Sequence, residues 1–264
     1  MRSDCGSQPF TMSTLDELRS ALRRDINVMP MFLTDMAPHL QDLLAESEGA
    51  SLEALFSRAN RTEGALLEAL TWLWARTLRA PAPAARVDML DVAEGEVRLF
   101  PGGLQVANGV LNRGILVVAG NVDVGGEFGD GDVGSATVVT GSLRCRLANV
   151  QGVLRVGGVL EAAQLVFANN DPEPLMAREG LRAPLTLLQL GRSLDVRSAD
   201  GLVVEEEVTP SQVLKLRALL PAAVFHDIDL EEEDEDVLIP LDEVLDVEAL
   251  YASAEEGTLV SPLR

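Results

Sequence analysis

Cysteine is almost absent from this 264-residue sequence: Cys5 and Cys145 stand far apart without metal-ligand spacing, which excludes a disulfide framework and a zinc site. A reducing cytoplasm is the expected compartment. Lysine is rarer still, Lys215 standing alone beside 20 arginines, which reflects GC-rich coding rather than a functional arginine cluster. There are two histidines, His39 and His226; neither lies near a serine or cysteine motif, and GxSxG and HExxH do not occur, so histidine-based catalysis is not expected. No apolar run approaches the roughly 18 residues needed to cross a membrane, and "MRSDCGSQPFTM" lacks the apolar core of a signal peptide. Basic residues are outnumbered 21 to 42, and a net charge of -21 repels nucleic acid and anionic membranes alike. What the chain has is apolar content: 47% is ample for a core.

The first third reads as a helical domain, 13–79, behind a disordered start at 1–12. Thr14 precedes Glu17 by three residues, the spacing of a capping box, and Leu15, Leu18 and Leu22 recur at helical intervals. In "TEGALLEALTWLWARTLRA" the residues Leu66, Leu67, Leu70, Leu73, Trp74 and Leu78 share one face. Trp72 lies off that face with Glu68 and Arg76, and reads either as packed on the same chain or as a partner-binding anchor. "APAPAAR", 80–86, reads as a stiff linker.

A repeat follows. "LFPGGLQV", "VVAGNVDV", "VVTGSLRC" and "RVGGVLEA" align in four columns: Phe100, Val118, Val139, Val156; Gly102, Gly120, Gly141, Gly158; Leu104, Val122, Leu143, Leu160; and Val106, Val124, Cys145, Ala162. Each column is two residues from the next, the period of a strand with one buried face. Copies recur at 18, 21 and 17 residues, too short for a strand and a full helix, and about right for a triangular turn of three short strands. The predicted fold is α+β: an N-terminal helical domain, a short right-handed parallel β-helix over 87–205, and an acidic helical segment over 206–264 that caps the coil. A β-sandwich of similar strands is the competing architecture, disfavoured by the scarcity of hairpin dipeptides. The glycine column calls for a bend with positive φ or a close backbone approach. "LQLGRSLDV" offers one further turn through Leu190, Leu194 and Val196, with the stretch "NNDPEPLMAREG" before it an excursion from the coil.

The repeat carries little chemistry. "GDGDVG", 129–134, matches GxGxxG but runs into a strand, and its aspartates repel a pyrophosphate; as a calcium nonapeptide it is a single imperfect copy. Cys145 falls in an inward column as a small hydrophobe. The outward positions do not align carboxylates for glycoside hydrolysis. No enzyme activity, metal or cofactor is expected, and the outward Ser142 and Arg144 are candidate partner contacts. From Glu205 onward 17 acidic residues face only Lys215, Arg217 and Arg264, and Glu231, Glu232, Glu233, Asp234, Glu235 and Asp236 run consecutively. That block is a solvated loop or a lure for a basic protein partner.

The "VxGxLxV" ladder resembles the bacterial polymer-forming β-helix proteins, the bactofilins, and a looser set of bacterial solenoid proteins with an acidic C-terminal segment. The resemblance spans about 87–205 and implies a cytoplasmic, cofactor-free protein that assembles end to end. The flanking helical parts depart from that pattern. The expected function is therefore a non-catalytic protein-binding scaffold, with an immunity-like inhibitor of a basic toxin and a filament-forming element as the alternatives.

Overall fold

A computed structural model describes residues 13–78, 82–131, 134–169, 173–227 and 237–260. Four helices come first: α1 (Ser13–Asp25), α2 (Ala37–Ala45), α3 (Leu52–Thr62) and α4 (Gly64–Thr77). Ser51 caps α3 through its side chain, which accepts from the Ala54 N–H. Phe56 of α3 meets Trp74 of α4 edge-on, with ring centroids 5.8 Å apart, inside a core that also takes in Leu18, Leu40 and Leu70.

The chain then winds into a parallel β-solenoid of about six turns. Its strands are β1 (Ala82–Val92), β2 (Val97–Phe100), β3 (Gly102–Asn112), β4 (Ile115–Val118), β5 (Val122–Val124), β6 (Glu127–Asp130) and β7 (Ala136–Val139). They continue as β8 (Leu143–Val150), β9 (Val153–Val156), β10 (Val159–Ala168), β11 (Leu175–Ala177), β12 (Gly180–Leu188), β13 (Leu194–Val196) and β14 (Ala199–Val204). Each turn has three faces. The leading halves of the long strands and β5 make the first, their trailing halves and β6 the second, and β2, β4, β7, β9, β11 and β13 the third. Register shifts at Val87/Met89, Ala162/Leu165 and Arg182/Leu185 mark the corner where a long strand passes from the first face to the second.

The aligned columns are rungs. Leu104 pairs with Val122, Val122 with Leu143, Leu143 with Leu160, Leu160 with Leu181 and Leu181 with Ala199, so the turns are 18, 21, 17, 21 and 18 residues long. Phe100, Val118, Val139 and Val156 stack likewise on the third face. The glycine column is needed for close approach alone. None of Gly102, Gly120, Gly141 or Gly158 has positive φ, but a Cβ on Gly120 would lie 2.8 Å from the Gly103 nitrogen.

Several expectations need correction. The segment 82–86 is strand rather than linker: Ala85 pairs with Leu104 and Arg86 with Gln105, alanines serving as the small inward residues of a terminal turn. Within the stretch before Gly180, Leu175–Ala177 forms a rung of the coil, since Met176 and Ala177 pair with Arg155 and Val156. Val196 continues the Phe100 column through Ala177 rather than the Cys145 column, because the two turns after Glu161 run 21 and 18 residues and position 196 is still on the third face.

The C-terminal segment comprises β15 (Glu207–Val208), α5 (Pro210–Leu219), β16 (Ile239–Pro240), α6 (Leu241–Val244) and α7 (Val247–Glu255). A full capping box of Thr209 and Gln212 starts α5. Its buried contacts run along the side of the coil instead of being confined to an open end. Leu216, Val244, Leu250 and Val260 pack on Leu147, Leu165, Leu185 and Val204, outward residues of the second face. Phe167 meets Tyr251 at 5.5 Å, and Gln164 exchanges two hydrogen bonds with the Val260 backbone.

Candidate functional site

The third face and, from Leu147 onward, the second are thus covered by the chain itself. Outward residues of the third face, Ile115, Val117, Ala136 and Val138, belong to the same apolar core as α3 and α4. At the edge of this contact Arg155 takes the place that Leu99, Val117 and Val138 hold on earlier rungs. It is met by the Glu68 carboxylate at 3.1 Å and Glu173 at 2.6 Å, while Arg178 reaches Glu68 at 2.9 Å. Glu68 and Arg155 are both buried, and their pairing fastens α4 to the coil. An arginine following Leu99, Val117 and Val138 in one column was the signal for a buried carboxylate partner, and Glu68 sits among the mostly apolar buried residues of α4.

The first face carries no covering element among the described residues. Its outward row runs Arg86, Gln105, Asp123, Arg144, Glu161, Arg182 and Asp200, each in register with the next, so charge alternates along the coil axis. Arg144 bonds Glu161 at 3.2 Å and Arg182 approaches Asp200 at 3.7 Å, exposed pairs worth at most about 1 kcal/mol each. Beside this row, at the corner toward the second face, lies an open groove of about 680 Å³ bordered by Arg86, Asp123, Arg144 and Arg146 and floored by Ala107, Gly125 and Ala163.

Of the candidate contacts, Arg144 lies on this face. Ser142 is tied into the stack: its Oγ accepts from the Val159 N–H at 3.1 Å and its N–H donates to Asn121 Oδ1 at 2.9 Å. Trp72 is half-buried against the helical core, with the Arg76 guanidinium 5.8 Å from its ring centroid, far from the first face in its contacts. Glu231, Glu232, Glu233, Asp234, Glu235 and Asp236 lie outside the described residues. Cys145 is buried in the coil core, where burial, followed by the nearby Glu127 and Glu161, pushes its thiol far above the ordinary range.

Glu127, at the seam between the coil and α7, has its carboxyl raised chiefly by burial and then by Glu255, against lowering by the Asn149 hydrogen bond and Arg146. A carboxyl raised in the folded state favours folding while protonated, and that contribution is lost as pH climbs from the ordinary carboxylate range through its folded value. Glu127→Gln is therefore expected to raise the melting temperature at neutral pH, with the gain shrinking toward zero in acid. Thermal melts across pH check this, and a pH-independent difference would contradict it.

Among the described residues no helix is long and apolar enough to cross a membrane. No family model, no curated protein and no solved structure matches the chain.

Proposed function

We propose that this protein is a non-catalytic binding scaffold whose first solenoid face, with the groove beside it, receives a protein partner. The observation that carries the reading is the asymmetry of the coil: the helical domain covers the third face from β2 to β9, the C-terminal segment covers the second from Leu147 onward, and the first stays uncovered among the described residues. A rigid stack of rungs positions exposed side chains with little entropy left to lose on binding, which is what a recognition surface requires. Recovery of a protein from source-organism extract with the purified chain, and its loss with the Asp123→Arg/Arg144→Glu variant, would support the reading. Undiminished recovery with that variant would overturn it.

A second reading rests on the coil's ends. Among the described residues β1 pairs with β3 on one side only, and Met89 on it is 64% exposed. An unpaired edge strand is a template for joining a second copy, as a filament-forming element would use it. Light scattering after size exclusion separates the two: a concentration-independent monomer removes the filament reading. The inhibitor reading rests on the net charge of -21. It predicts a cationic toxin as the recovered partner.

A further inference from the structure

We infer that the groove on the first face binds an extended acidic peptide segment with carboxylates about four residues apart and apolar or small side chains between them. This rests on the reading of that face as the binding surface and specifies its ligand. The groove's cations are the first observation. Arg86 makes no salt bridge to another described residue, and Arg146, close enough to Glu127 to lower its carboxyl, makes no salt bridge among the described residues either. Arg144 keeps its exposed pairing with Glu161 and stands between them. In a chain of net charge -21, a groove with three arginines against Asp123 is a local reversal of sign.

Their spacing is the second observation. Arg86 pairs with Gln105, Gln105 with Asp123, and Asp123 with Arg144, so Arg86 and Arg144 stand three rungs apart. Rungs are about 4.8 Å apart, making roughly 14 Å, which an extended peptide at about 3.3 Å per residue covers in four residues. A carboxylate at each end meets arginine, and the intervening positions pass over Asp123 without a charge of their own. The floor is the third observation. Ala107, Gly125 and Ala163, all exposed, make it small and uncharged, while Val87, Val106 and Val124 pack toward the coil core. Gly125 is fixed by the fold, since a Cβ there would lie 2.2 Å from the Ala107 carbonyl oxygen. A floor of small residues with Asp123 at its middle favours such a peptide over an acidic polysaccharide, whose charges are continuous and whose units carry no apolar side chains.

The test is fluorescence anisotropy with the full chain and a labelled SEVAVES peptide, with SQVAVQS as the neutral control. Loss of one charge-assisted contact costs about tenfold in affinity. The neutral peptide should bind at least about tenfold more weakly than the acidic one. Arg86→Gln and Arg146→Gln should each weaken the acidic peptide about tenfold, and Ala107→Trp, at an exposed position, should block it. Arg182→Gln, outside the groove, should change nothing. The inference is overturned by equal affinity for the two peptides, by no binding of either, by indifference to Arg86→Gln, or by an oligouronate binding where the acidic peptide does not. If a partner is captured through this face while the acidic peptide fails, the ligand assignment falls and the binding-surface reading stands.

Discussion

Replacing Glu68 with alanine is expected to destabilise the protein by about 3 kcal/mol, the cost of taking from two guanidiniums the buried carboxylate they share. The side chains of Glu68 and Arg155 are only 9% and 6% exposed, and Arg178 shares the same carboxylate. Removing that carboxylate leaves Arg155 with Glu173, which also accepts from the Gly64 N–H at the start of α4, and Arg178 with Asp195, both acids more exposed than Glu68. The loss should appear in guanidinium titrations as early release of the helical domain while the β-signal of the coil persists. Glu68→Leu combined with Arg155→Met should recover most of the stability, because two apolar groups in the same space need no partner. A loss under about 1 kcal/mol for Glu68→Ala would mean that the network does not fasten the helical domain to the coil.

Gly120→Val is expected to cost at least about 3 kcal/mol, through overpacking against main chain that has no room to yield. The Cβ it introduces would stand 2.8 Å from the Gly103 nitrogen and 2.9 Å from the Gly102 carbonyl carbon, both backbone atoms of the neighbouring turn. Gly95 supplies the contrast. Its φ is +74° but nothing lies within 4 Å of a Cβ, so Gly95→Ala should cost only the roughly 1–2 kcal/mol of a left-handed conformation. Denaturation midpoints separate the two costs, and equal losses would contradict stacking as the reason for the glycine column.

Both predictions bear on what the sequence makes legible. The coil is readable because its inward columns are strict: Leu104, Val122, Leu143 and Leu160 sit at the same step of successive turns, and period-2 alternation cannot serve a helix. The covering of the third face was readable too, in "ILVV" and "ATVV". Every residue of both strands is buried, and only Thr137 is polar, which means a strand packed on both sides; the outward half of each belongs to the helical core. The terminal turns escaped the pattern for a physical reason. β1, β11 and β13 face an end of the coil or rest on small residues such as Ala85 and Ala177, so large apolar residues are not required to fill them. The groove was not legible at all. Arg86, Arg144 and Arg146 come from turns up to 60 residues apart, and only the register brings them to one corner.

The most direct test of the account places a photo-crosslinking amino acid at one position at a time in the full chain: at Gln105 on the first face, at Met31 in the helical domain and at Leu214 on α5. All three positions are exposed, the last two at 90% and 60%. With the uncovered face as the recognition surface, irradiation in the source organism gives a discrete adduct with another protein from Gln105 and none from Met31 or Leu214. Adducts from Met31 or Leu214 with none from Gln105 would contradict it.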